Sequence, residues 1–162
     1  MIINDETITE VLEVLYHKIY LKEGEILKKD ENLEDVISNY ILQGNFFIDT
    51  TIYLKEDTGH INLDDIRLCL KQLAYAGIAQ LLKDKPSLVK GVDYDLFKEK
   101  KLGVSEPAFT FRGRELINKK DFSLEMSLNG LRKSGDAYIL FVDYKVENKS
   151  HGAITYVLKL NK

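Results

Sequence analysis

The stretch Tyr53-Leu54-Lys55-Glu56-Asp57-Thr58-Gly59-His60-Ile61-Asn62 runs into a mostly apolar segment, residues 63–82, that carries Arg67, Lys71, Gln72 and Tyr75. The first part reads as a strand followed by a glycine-containing turn, the second as a helix that is apolar nearly all round. Such a helix belongs inside a protein, where each polar side chain must be satisfied or put to use. Asn62 is placed to cap it, and Asp64 and Asp65 fall in its first turn, where carboxylates suit the positive end of the helix dipole.

Upstream, Ile8, Val11, Leu12, Leu15 and Ile19 recur at helical spacing and predict a helix over 6–20. The charged stretch 22–31 reads as a loop. A second helix is expected over 33–43, capped by Asn32, with Val36, Ile37, Tyr40 and Ile41 as its stripe. Residues 46–54 are rich in aromatic and β-branched types and read as a strand. Downstream, Pro86 and the stretch from Gly91 to Gly103 form a connection with a short helical piece near 94–100.

After Pro107 the pattern alternates. Phe122, Leu124, Met126 and Leu128 interleave with Ser123, Glu125, Ser127 and Asn129, as a strand with one wet face requires. Strands are also expected at 108–116, 136–147 and 151–160, the last two separated by Asn148-Lys149-Ser150. Helices first, then one strand, a long helix and four consecutive strands make the class α+β with an antiparallel sheet.

The 162 residues suit one domain, 1–162, divided into an N-terminal helical segment, 1–45, and a core, 46–162. A net charge of -3 argues against a nucleic-acid partner, which selects a basic patch. Short basic runs at Lys98, Lys100, Lys101 and at Lys119, Lys120 can be solvated surface or can attract an anionic cofactor or carrier protein. One cysteine, Cys69, allows no disulfide within the chain and points to the cytoplasm. No basic leader opens the sequence, and no apolar run reaches the roughly 20 residues of a membrane span. His17, His60 and His151 show no metal-ligand spacing.

The run Gly59-His60-Ile61-Asn62, followed by Cys69, Gln72 and Tyr75, is similar to the FcoT-like thioesterases, a branch of the hot-dog fold acting on long-chain acyl thioesters. The resemblance is strongest over 51–82. It implies a five-stranded antiparallel sheet curved around a long central helix, with extra N-terminal helices here. By the same resemblance Tyr53 matches the tyrosine on the preceding strand, Asn62 the asparagine after the Gly-His pair, and Tyr75 the tyrosine on the helix. Lys71 stands where the family carries a second asparagine, and Tyr53 lies one residue further from Asn62 than in the family pattern. The substrate is then an acyl-coenzyme A or an acyl carrier protein, which brings its own phosphopantetheine arm, so no separate cofactor is needed. Hot-dog domains also pair, which implies a homodimer or homotetramer.

The expected chemistry follows from the residue types. A thioester carbonyl gains negative charge on attack, and the Asn62 amide, the Tyr53 and Tyr75 phenols and backbone N–H groups at the helix start can stabilise it. Histidine is suited to acid–base work near neutral pH, which makes His60 the candidate; it can equally be a turn residue. Asp64 and Asp65 are either bases or caps. Gly59, Arg67, Lys71 and Gln72 are the substrate-binding candidates. Arg67, Lys71 and Tyr75 are four apart and share a helix face, so the two cations call for an anion, either a carboxylate of the protein or one of the substrate. Cys69, in an apolar helix, is a poor nucleophile.

Three functions compete. Hydrolysis of an acyl thioester by water is the first. The second is addition of glycine to an α,β-unsaturated acyl-carrier-protein thioester, as in isonitrile lipopeptide-type biosynthesis, with hydration or dehydration as its relatives. The third is a non-catalytic acyl-binding protein.

Overall fold

The computed structural model describes residues 1–16, 18–49, 60–113, 117 and 121–161. Its elements are β1 (Ile2–Ile3), α1 (Asp5–Leu12), β2 (Leu21–Lys28), a 3-10 turn (Ile37–Asn39), β3 (Tyr40–Phe46), α2 (Leu63–Asp84), α3 (Tyr94–Lys98), β4 (Leu102–Phe109), β5 (Phe122–Ser134), β6 (Ala137–Val146) and β7 (Ser150–Leu160). The strands form one antiparallel sheet in the order β1-β2-β3-β5-β6-β7-β4.

One face of the sheet packs on α2. Leu42, Leu124, Met126, Val142 and Ile154 point inward and are buried, while Gln43, Glu125 and Lys145 stand on the other face. Phe46 and Phe122 sit opposite each other in the β3–β5 register and stack with ring centres 5.6 Å apart. Helix and sheet approach closely where both lack side chains. A Cβ on Gly77 would stand 2.7 Å from the Leu42 side chain, and one on Gly44 would stand 2.9 Å from that of Leu73. From Cys69 to Leu82 all but one residue of α2 is buried, the exception being Lys71.

The α+β class and the antiparallel sheet hold, but the sheet has seven strands among the described residues instead of five. The added strands come from the N-terminal part. Residues 21–28 are strand β2 and not a loop; their charge reflects a place near the sheet edge, shielded among the described residues by the two-residue β1. Of the helix expected over 33–43, residues 37–39 form a 3-10 turn and 40–43 belong to strand β3. Tyr40, Leu42, Gly44 and Phe46 alternate with Ile41, Gln43 and Asn45, a period of two that the apolar pair Tyr40-Ile41 obscures.

The first helix stops at Leu12. Beyond it the Gln72 side chain claims the backbone: its Oε1 accepts from the N–H groups of Tyr20 (2.8 Å) and Leu21 (3.3 Å), and its Nε2 donates to the Lys18 carbonyl (2.9 Å). A long-range contact thus overrides local periodicity. Of the strand expected at 108–116, Ala108 and Phe109 end β4, which begins at Leu102, and residues 114–116 lie outside the described residues. Of the strand expected at 46–54, Phe46 ends β3, and residues 50–54 lie outside the described residues.

Candidate functional site

The start of α2 is built by a reciprocal cap. Asn62 Oδ1 accepts from the Asp65 N–H at 2.8 Å, and Asp65 Oδ2 accepts from the Asn62 N–H at 3.1 Å. This fixes the Asn62 amide by its oxygen and leaves its Nδ2 donor without a partner among the described residues. The next two N–H groups of the helix, on Leu63 and Asp64, are among those a helix cannot satisfy internally. Leu63 and Asp64 are exposed, and Asn62 and His60 are half-buried. The Ile61 N–H donates to the Ile117 carbonyl at 3.0 Å.

Along α2 from this cap runs the face that carries Asp64, Arg67, Lys71 and Tyr75. Its two cations meet one carboxylate, Glu106, whose side chain is 4% exposed. Arg67 Nε donates to Glu106 Oε1 at 2.5 Å, and Lys71 Nζ stands 3.9 Å from Glu106 Oε2, beyond hydrogen-bonding reach. Arg67 also lies 3.7 Å from Asp64 and stacks 5.5 Å over the Phe109 ring. The anion that the two cations call for is therefore the protein's own.

Glu106 reaches this place through a bulge. The β4–β7 register slips between Ser105 and Ala108, so Glu106 and Pro107 together oppose Tyr156. Pro107 cannot donate to a ladder and is tolerated because β4 is an edge strand. A bulge re-aims side chains, and this one turns Glu106 inward.

Lys71, Tyr75, Tyr16, Phe97 and Tyr156 line a narrow cleft beside Glu106, together with the apolar Ala74, Ile78 and Leu140. It has about 10 Å³ of room, roughly one water's worth. Tyr75 is buried; its hydroxyl donates to the Phe97 carbonyl at 3.3 Å, and its ring meets that of Phe97 edge-on at 4.7 Å. Burial pushes the Tyr16 phenol up to about 12 and raises that of Tyr75 as well. Tyr144, stacked on Phe109 at 5.8 Å and donating to the Thr110 carbonyl at 2.6 Å, is raised by burial and by the nearby Glu106.

A larger depression of about 470 Å³ lies on the outer face of the sheet, lined by Glu23, Gln43, Asn45, Glu125 and Lys145 among others. Its polar groups satisfy one another: Gln43 donates to Glu125 at 2.8 Å, Asn45 to Glu23 at 2.6 Å, and Lys145 pairs with Glu125 at 3.4 Å. It contains none of the candidate residues. Size alone does not make it the site.

Of the expected site residues, Asn62 lies at the start of α2, His60 two residues before it, and Arg67, Lys71 and Tyr75 line one side of that helix. Gln72 points the other way and braces the 18–21 backbone. Tyr53 and Gly59 lie outside the described residues. Cys69 is fully buried, and burial raises its thiol well above the usual value, so it offers no thiolate. Glu106, Tyr156 and Tyr16 were not anticipated; the proline after Glu106 inside an alternating stretch is the signal that marks a bulge there. No cluster of His, Cys, Asp and Glu suited to a metal occurs among the described residues, and no helix among them is long and apolar enough to cross a membrane.

The family model for the FcoT-like thioesterase domain matches residues 10–154. Among solved structures, yhdA of Lactococcus lactis, assigned as a thioesterase, superposes with a TM-score of 0.50 at 9% identity, covering 86% of this chain and 94% of its own. A gentisyl-coenzyme A thioesterase gives 0.46 at 11% identity, with 74% and 88% covered. A DHNA-CoA thioesterase from Staphylococcus aureus gives 0.46 at 10% identity, with 75% and 74% covered. No curated protein matches the sequence.

Proposed function

We propose that this chain, which belongs to the FcoT-like thioesterase domain family, hydrolyses acyl thioesters at the start of α2. The observation that carries the reading is the Asn62 amide, held by its oxygen in the helix cap with its N–H donor still available beside the first N–H groups of a 22-residue helix. Donors fixed where charge develops on a carbonyl oxygen lower the barrier, at about 2.7–4 kcal/mol for a well-placed one. Water attacks the carbonyl carbon, the carbonyl π electrons move onto oxygen, and the tetrahedral species collapses by breaking the C–S bond. His60 takes the proton released by the water and returns it to the departing sulfur, giving a carboxylic acid and a free thiol. The acyl group lies along the face that carries Lys71 and Tyr75.

The thiol is coenzyme A or the phosphopantetheine of a carrier protein, and no further cofactor is needed. We read the working form as a homodimer or homotetramer, because β4 ends the sheet and pairs with β7 alone among the described strands. Glycine addition drew its physical motive from two cations in search of an anion. Since both face Glu106, hydrolysis is the better supported reading.

The test is release of free thiol from a panel of acyl-coenzyme A and acyl-carrier-protein thioesters by the purified protein. Release well above the buffer rate on at least one chain supports hydrolysis. No release on any of them, with mass-spectrometric detection of a glycine adduct on a crotonyl carrier protein, would transfer the chain to the second reaction.

A further inference from the structure

The cleft under Lys71 combines a greasy wall with polar atoms that the protein leaves unmatched. Tyr156 is 1% exposed, and its hydroxyl has no hydrogen-bond partner among the described residues. Burying such a group unpaired is costly, so an orphan hydroxyl on a residue that lines a cleft calls for an explanation. Lys71 forms another wall, with its ammonium too far from Glu106 for a hydrogen bond and three donors to offer. Both residues therefore border room for about one small polar group.

Resting on the thioester-processing reading above, we propose that the preferred acyl group carries a neutral oxygen, a hydroxyl or keto group on its chain, which accepts from Tyr156 and Lys71. A plain alkyl chain would leave the Tyr156 hydroxyl unpaired, and a site built to pair a substrate oxygen discriminates strongly against the analogue that lacks it. A carboxylate is the poorer guest. Arg67 and Lys71 are already balanced by Glu106 and Asp64, and a further anion would sit beside Glu106. Burial and Glu106 raise the Tyr156 phenol well above its usual value, so it stays a donor. Lys71 lies nine residues beyond Asn62, about 13 Å along the helix axis, and its side chain leans back toward the helix start. The oxygen accordingly sits several carbons beyond the thioester.

Matched medium-chain acyl-coenzyme A thioesters, unsubstituted, with a mid-chain hydroxyl, with a mid-chain ketone or with a terminal carboxylate, test this through kcat/KM of the full-length protein. The oxygenated neutral chains should exceed the unsubstituted one by on the order of 10²-fold or more. In Tyr156→Phe that preference should collapse to a few-fold with no fall in melting temperature. Tyr138→Phe, which removes the bond to the Lys90 carbonyl, should keep the preference. Equal values for plain and oxygenated chains overturn the inference and leave hydrolysis standing; so does a Tyr156→Phe protein that keeps the preference. If Tyr156→Phe does not fold, the wild-type comparison decides alone. If no thioester is cleaved, hydrolysis fails, and the inference is judged by binding of the matching thioether analogues: tighter binding of the oxygenated ones upholds it, and equal binding ends it.

Discussion

Arg67 Nε donates to Glu106 Oε1 at 2.5 Å, and this contact ties the site-bearing face of α2 to a bulge on the edge strand of the sheet. Glu106 is nearly covered while Arg67 is 43% exposed, so the pair is half screened. Glu106→Gln should lower stability by about 1–2 kcal/mol, between the value of a charged hydrogen bond and that of a surface pair. Lys71→Met should cost less than about 0.5 kcal/mol, since Lys71 only approaches the carboxylate. Urea unfolding of the two variants checks the order. A Glu106→Gln protein as stable as the parent would mean that the bulge holds its shape without the ion pair.

Asn62 has two separable roles. Aspartate caps a helix as well as asparagine does, but it has no amide N–H. Asn62→Asp should therefore unfold within about 0.5 kcal/mol of the parent while hydrolysis falls on the order of 10²-fold. Asn62→Ala should lose activity and about 1 kcal/mol as well. Full activity in Asn62→Asp would reduce the residue to a cap.

Glycines separate tight from open parts of the sheet. A Cβ on Gly152 would lie 1.9 Å from the Thr110 carbonyl oxygen and 2.6 Å from the Tyr144 hydroxyl, so no side-chain rotation relieves it. Gly152→Ala should cost about 2–3 kcal/mol and disturb Tyr144, as overpacked positions do. Gly130, with nothing within 4 Å of its Cβ position, should accept alanine and gain about 0.4–1 kcal/mol. Thermal melts of the two variants should move in opposite directions; a common direction contradicts the packing described.

The central part of the chain was legible because its signals agree. Asn62, Asp64 and Asp65 mark the helix start, and the apolar run to Leu82 marks its burial. The alternation over 122–129 marks the first part of β5, which runs on to Ser134, and the strands expected at 136–147 and 151–160 match β6 and β7 nearly residue for residue. Residues 21–46 misled for physical reasons. The charges of β2 reflect a place next to the sheet edge, and the helix-like spacing of Val36, Ile37, Tyr40 and Ile41 straddles a 3-10 turn and the start of β3. β3 pairs with β5, far along the chain, and β2 joins the rest of the sheet through β3. The same holds for the site: Lys71 and Arg67 were legible as cations in need of an anion, but the anion sits across a register slip that only the folded sheet defines.

Alkali should expose the buried phenols. Burial raises Tyr16 to about 12, and burial together with Asp35 raises Tyr40 to about 12, against roughly 10 in an unfolded chain. Because the neutral form is favoured in the fold, this contribution is complete below pH 10 and lost as pH climbs from about 10 through 12. Phenolate absorbance from these residues should therefore appear together with loss of circular dichroism. All tyrosines ionising near pH 10 with the fold intact would contradict it.

The most direct measurement is amide and methyl chemical-shift mapping with a hydrolysis-resistant acyl-coenzyme A thioether. The largest changes are expected at Leu63 and Asp64 and along Lys71, Ala74 and Ile78. Changes centred on Gln43, Glu125 and Lys145, across the sheet, would place the ligand on the wrong face and contradict the account.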